Sequence, residues 1–180
     1  MKGKTTEQLK RSFIMTEYKP ELSAAVRRGN EPVVHRLAAL DKNQLHGVLA
    51  TSSNDQPYTS MVAFALTPDQ RGIVFVTPLK SVKFRNMLSN RRVALLIDNR
   101  SNSERDYLEA ESVTLLGEAV PVRRGKRWNE LAAVLAEKHP HLRGVIQSPQ
   151  SRLIMVRINR CIHVTRFQTV SLWTPGENFT

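Results

Sequence analysis

The sequence predicts a mainly β domain with flanking helices, a small barrel of six to seven mostly antiparallel strands. Three observations predict it. Seven short runs rich in Val, Ile and Leu recur along the chain, at residues 46–51, 58–66, 73–77, 93–98, 113–122, 153–158 and 162–167. The separators at residues 52–57 and 67–72 hold Asn, Asp, Pro and Gly, the chemistry of antiparallel hairpin loops, so the first three strands form a meander. Helical periodicity is confined to three places. The alternation of strand and helix that a doubly wound sheet needs is therefore missing, and closure into a barrel removes the edges of so many short strands.

Each helix follows from its own spacing. Residues 31–40 set Val33, Val34, Leu37, Ala38 and Leu40 on one stripe, with Pro32 in the first turn. Residues 78–90 place Phe84, Met87 and Leu88 on a core-facing stripe, with Pro78 opening the helix. Residues 125–139 align Trp128, Leu131, Ala132 and Leu135 and stop before Pro140, so Trp128 reads as core.

The chain has 180 residues, 41% hydrophobic and 24% charged, which suits one globular domain. Residues 1–30 hold seven basic and three acidic residues with little apolar periodicity and read as a basic arm; residues 31–180 form the domain. No apolar run is long enough for a membrane span, and no apolar segment follows the first lysines as in a signal peptide. The single cysteine, Cys161, falls in a turn between the last two strands as a packing residue. It excludes an internal disulfide or a thiolate zinc site, and a cytoplasmic location is expected.

The formal charge of +11 favours an anionic partner. A basic nucleic-acid-binding domain is disfavoured, because aromatic residues are only 6% and no stacking platform is evident. Arg123, Arg124, Lys126 and Arg127 cluster at a helix start and are expected to face solvent or an anion. The histidines make no metal site: His139 and His141 flank a helix end as cations against its dipole, while His46 and His163 read as strand residues, partly buried and hydrogen-bonded.

One motif joins strand to helix with anion-binding chemistry. Thr77, Pro78, Leu79, Lys80, Ser81, Val82 and Lys83 combine two hydroxyls and two ammonium groups with the free N–H groups of a helix start, which makes a phosphate cradle. Lys80, Lys83 and Asn86, three apart, form one polar ridge.

The motif sits in an ordered series: residues 47–51, a Pro-led strand from Pro57 to Leu66, a strand ending in Thr77, Ser81 with Lys83, and Asn90, Arg91, Arg92, Val93 opening the next strand, continued by residues 110–119. This series resembles the flavin-binding half of the pyridoxamine 5′-phosphate oxidase-like, FMN-binding split-barrel family. The resemblance implies a split β-barrel that holds FMN noncovalently, its phosphate against Ser81 and Lys83 with Thr77 alongside. Ser60, Met61 and Val62 would line the isoalloxazine edge, largely through backbone groups, and Asn86 is a further cofactor-binding candidate. It also implies a homodimer with the flavin in the groove between subunits, Ser112 reaching the partner's flavin, and oxidoreductase activity on an unspecified substrate. Trp173 would cap the flavin or pack against the barrel.

Ser60 stands where the oxidase has an arginine, Ala65 where it has a lysine, Val82 where it has an arginine and Thr165 where it has a tryptophan, and its Arg-Leu substrate motif is missing. Turnover of pyridoxamine phosphate is therefore not expected. The segments PYTSMVAFAL and LLIDNR are more similar to the heme-utilisation and flavin-reductase-like branches. A non-catalytic flavin-binding or sensing module is the alternative function; a deazaflavin coenzyme or heme is the alternative cofactor. The residues identify no general acid or base.

Overall fold

The computed structural model describes residues 33–165 and 169–175. The arm expected over residues 1–30 lies outside them, as does Pro32. The described chain runs α1 (Val33–Asn43), β1 (His46–Ser53), β2 (Gln56–Leu66), β3 (Gly72–Pro78), α2 (Val82–Ser89), β4 (Arg92–Asp98), α3 (Asp106–Glu109), β5 (Glu111–Pro121), α4 (Lys126–Lys138), a 3-10 turn (Pro140–Leu142), α5 (Arg143–Gln147), β6 (Ser151–Thr165) and β7 (Thr169–Trp173).

All strand pairs are antiparallel, in the order β3-β2-β1-β4-β5-β6-β7, and β3 also pairs with β6. Six strands thus close into a barrel and β7 extends β6 on the outside. The β1–β2 hairpin turns at Asn54 and Asp55, whose φ angles of 50° and 61° match the two-residue turn that suits strand twist. The expected meander is present.

Two runs read as separate strands, 153–158 and 162–167, belong as far as residue 165 to one strand, β6; residues 166 and 167 lie outside the described residues. Cys161 therefore lies inside a strand, fully buried in the barrel core, and not in a turn. The cause is a bulge: Leu116 pairs with Arg160 and Gly117 with Ile158, so Asn159 is the extra residue. The bulge inverts the inward alternation, from Ile154, Val156 and Ile158 to Cys161 and His163, and a period-2 reading breaks there. Burial pushes the Cys161 thiol up to about 12, so it packs as an apolar group.

Two clusters of apolar side chains organise the rest. The barrel interior holds Leu49, Phe64, Phe75, Leu95, Ile97, Leu115 and Ile154, with Val33, Leu37 and Leu40 of α1 and Phe84 and Met87 of α2 packed into it. Trp173 is half-buried against the same cluster. The second cluster lies outside, where Trp128, Leu131 and Leu135 of α4 cover Ala65, Val74 and Leu153 of β2, β3 and β6. Leu88, expected in the core, is 61% exposed, because the short α2 buries only a narrow stripe. Among the described residues no helix is long and apolar enough to cross a membrane.

At Gly117 β5 lies tight against β6: a Cβ there would meet the Arg157 carbonyl oxygen at 2.2 Å. Backbone cannot yield as a flexible side chain can. Gly117→Ala is expected to destabilise the protein by about 2–3 kcal/mol, whereas Gly144→Ala in α5, where a Cβ meets nothing within 4 Å, is expected to stabilise it by about 0.5–1 kcal/mol. Urea unfolding of both variants checks the pair of signs.

Candidate functional site

The segment between β3 and α2 differs from its reading in one respect. Pro78 ends β3, and the helix starts four residues later with Ser81 as N-cap. Ser81 has extended backbone (φ −73°, ψ 150°), and its Oγ accepts the Phe84 N–H at 3.2 Å. Thr77 Oγ1 lies 2.8 Å from Ser81 Oγ. Two hydroxyls that share one hydrogen bond leave one O–H proton over. Thr77 is 1% exposed while Ser81 is half-buried, so Ser81 holds the spare donor.

The N–H groups of Val82 and Lys83 have no acceptor among the described residues, as the first turn of a helix dictates. That turn contains no acidic residue. Lys83 is half-buried and Lys80 exposed, and neither has a carboxylate partner among the described residues. Hydroxyl, amide and ammonium donors thus gather at one helix start, an arrangement for a phosphate-sized dianion.

The expected ridge of Lys80, Lys83 and Asn86 is corrected. Asn86 is 9% exposed, and its Nδ2 donates to Thr51 Oγ1 at 3.1 Å. Asn90 Nδ2 reaches Ser52 Oγ at 2.9 Å and Ser89 Oγ reaches Ser53 Oγ at 3.2 Å, so three polar residues fasten α2 to the hydroxyl run that ends β1. Asn86 orients the cradle from behind.

Strand alternation divides the β2 candidates. Val62 points into the barrel and is 6% exposed; Met61 points outward and is 68% exposed. Ser60 faces inward like Val62, and its Oγ is buried with no hydrogen-bond partner. An unpaired buried hydroxyl costs stability, and it offers a donor to a ligand. Extending the register in which Phe64 pairs with Phe75 sets Val62 opposite Thr77, so this end of β2 runs towards the cradle. Ala65 packs under α4.

A second polar centre escaped the sequence reading. Glu111, 7% exposed on β5, accepts Arg36 Nε at 2.8 Å and pairs with His163 Nε2 at 2.9 Å; Arg36 Nη2 binds its other oxygen. Burial alone would raise the Glu111 carboxyl, but hydrogen bonds from Arg36 and His163 outweigh it and hold the group below its ordinary value. A readable signal existed: Glu111 occupies an inward position in register with Val113 and Leu115. His163 is buried and hydrogen-bonded as read, whereas His46 is exposed at the start of β1. His139 is also corrected. Its Nε2 donates to the Phe64 carbonyl at 2.8 Å, and burial pushes the imidazole below its usual value, so it is neutral and not a cation against the helix dipole.

Beside Glu111 lies a groove of 560 Å³ between the β4–β5 connection and the outer face of the sheet, with Leu96, Tyr107, Ser112 and Val164 in its lining. Around it the outer face is largely apolar, and no described helix covers it. Met61, Val48, Leu96, Thr114, Ile162 and Leu172 pair in one transverse row across β2, β1, β4, β5, β6 and β7.

The family model described as pyridoxamine 5′-phosphate oxidase matches residues 34–165, the whole barrel. The chain belongs to this family. Among solved structures, the split-barrel fold of the family recurs in a heme binding protein from Mycobacterium smegmatis (TM-score 0.72, 18% identity, 81% of this chain and 59% of that one). It recurs in HutZ, the heme storage protein of Vibrio cholerae (0.61, 16%, 78% and 92%), and in an FAD-binding protein from Mesorhizobium loti (0.56, 15%, 72% and 90%). The chain thus spans 59% of the mycobacterial protein. No curated protein sequence matches.

The Glu111 cluster makes stability acid-sensitive. A carboxyl whose folded pKa lies below its unfolded value stabilises the fold above the unfolded value, near 4.5, and that contribution is lost as pH falls through the folded value. Glu111→Gln is expected to cost roughly 2 kcal/mol at pH 7, less than a fully buried pair because Arg36 reaches solvent, and to flatten the decline in unfolding free energy below pH 4.5. Urea titrations at several pH values measure both.

Proposed function

We propose that the protein binds FMN and works as a flavin-dependent oxidoreductase, with the cofactor phosphate at the start of α2 and the ring along the outer end of β2. The observation that supports this best is the cradle, where the Val82 and Lys83 N–H groups, the Ser81 hydroxyl and the Lys83 ammonium have no anionic partner among the described residues. The orphaned Ser60 hydroxyl adds a donor that protein groups leave unused. Bound FMN would supply hydride or electron transfer. The chain's part is to anchor the phosphate, to orient the ring with β2 backbone groups and to exclude water.

Exclusion of water calls for a second subunit. α4 covers the outer face of β2, β3 and the first half of β6, but the described residues leave the row from Met61 to Leu172 open, and the exposed Met61 and Leu172 at its ends suit contact with a second copy of the same face. In such a homodimer the groove that contains Ser112 would close over the partner's cofactor. The fold is shared with proteins named for heme or for FAD, so heme is the competing ligand. Of the five histidines, the imidazoles of His139 and His163 are already engaged by Phe64 and Glu111 and so are not free to ligate heme, while His35, His46 and His141 are exposed.

Lys83→Met is expected to weaken FMN binding by about 1.5–3 kcal/mol, roughly tenfold to a hundredfold in Kd, and to leave riboflavin nearly untouched. Flavin fluorescence titrations decide it, and equal losses for both ligands would refute the phosphate contact. A Soret band in the purified protein, with no flavin spectrum, would support heme instead. The Ile162→Glu variant, which puts a charge in the middle of the open face, is expected to turn a dimer into a 20.4 kDa monomer by light scattering and to lose FMN with it.

A further inference from the structure

Three arginines from three separate elements converge at the opposite end of β3 from the α2 cradle. Arg71 ends the β2–β3 turn, Arg127 stands in the first turn of α4 and Arg157 points outward from β6; all three line one polar cavity of 480 Å³. The Asn159 bulge is in its wall as well. The backbone is built for this spot: Gln70, just before Arg71, holds a left-handed φ of 57°, and the bulge turns Asn159 out of the ladder.

Charge bookkeeping shows which groups are free. Two carboxylates share the cavity. Asp69 Oδ1 accepts the Thr67 hydroxyl at 2.5 Å and the Arg71 N–H at 3.1 Å; that Thr67 bond first, and the nearby Arg127 and Arg71 charges after it, hold the carboxyl below its ordinary value, so Asp69 partly screens both arginines without an ion pair to either. Glu118 meets Arg157 at 3.6 Å, with both side chains about half exposed, so the pair is weak and opens readily. The guanidinium of Arg127 has Met155 Sδ at 3.4 Å as its hydrogen-bond partner, and neither Arg127 nor Arg71 has a carboxylate within ion-pair distance among the described residues. Two planar forks therefore face the cavity with donors unspent, and a third is loosely held.

We propose that this cavity is a second anion site, selective for a compact diphosphate, either free pyrophosphate or the diphosphate end of a small metabolite. One carboxylate saturates one arginine fork. A diphosphate offers terminal oxygens on several sides and can engage forks that approach from β3, α4 and β6 together. The cavity volume accommodates such a group with part of the molecule that bears it. The site is independent of the flavin reading, because none of its lining residues belongs to α2 or to the open sheet row.

The test is titration calorimetry with sodium pyrophosphate on the full chain, run in the Lys83→Met background so that the α2 cradle is weakened and the arginine variants report on the cavity. Binding is expected in this background, weakened at least tenfold by Arg127→Met or Arg71→Met, and weakened less by Arg127→Lys, which keeps the charge but loses the fork. Circular dichroism confirms that these exposed substitutions leave the fold intact. No pyrophosphate binding in the Lys83→Met background, or binding indifferent to Arg71 and Arg127, would overturn the proposal. So would binding of a single-stranded oligonucleotide that requires the same arginines while pyrophosphate alone fails to bind, since the site would then read a polymer backbone.

Discussion

The pairing of β3 with β6 is the constraint on which the rest of the structure depends. Seven residue pairs, from Gly72 with Arg157 to Pro78 with Ser151, join the first meander to the last long strand and turn a seven-stranded sheet into a closed six-stranded barrel. β6 has to serve two neighbours on one side, β3 and then β7, while it pairs with β5 along nearly its whole length. Fifteen residues and one bulge achieve this. Closure satisfies the backbone groups of edge strands that would otherwise invite aggregation, and it creates an interior for Phe64, Phe75 and Leu115.

The placement of chemistry follows from closure. With β3 fixed against β6, the chain leaves β3 at a barrel end, and α2 must start there, tied back by Asn86, Ser89 and Asn90 to the end of β1. The donors of its first turn consequently lie beside the end of β2 rather than in open solvent. α4 covers the opposite flank, over β2, β3 and early β6. Among the described residues its coverage leaves the β1, β4, β5 and β7 side without a covering helix, so one helix decides both where the second core lies and which sheet face stays open.

Buried polar groups divide into two kinds. Glu111 with Arg36 and His163, and Asp41 with Lys138, are paired and fasten α1 and α4 to the barrel; Lys138 sits 2.6 Å from Asp41 and 3.9 Å above the Phe64 ring, its ammonium pushed below its ordinary value by burial. Ser60 is unpaired, and the α2 amides are unspent. Paired groups of the first kind hold elements together, while the second kind retains binding capacity at the site. Arg124 shows how a basic cluster can be partly structural, since its guanidinium stacks 3.7 Å above Trp128 and bonds Gln147.

The sequence by itself determined the local facts. Period-2 apolar runs, turn residues such as Asn54 and Asp55, the Trp128 stripe and the Thr77 to Lys83 motif all lie within a few residues of one another, where backbone preference and side-chain spacing act directly. It also displayed the family, because the ordered blocks from Gly47 to Ala119 are local patterns in series. Only the tertiary structure decided what depends on distant partners. Asn86 turns inward because Thr51, thirty-five residues away, accepts its amide; Glu111 is buried because Arg36 and His163 come from other elements to meet it. Cys161 is core and not turn because a single extra residue at Asn159 shifts the phase of β6 against β5. Arg71, Arg127 and Arg157 share a cavity because barrel closure brings β3, α4 and β6 together. Long-range pairing carries no periodicity along the chain, so no spacing rule shows it until the sheet has closed.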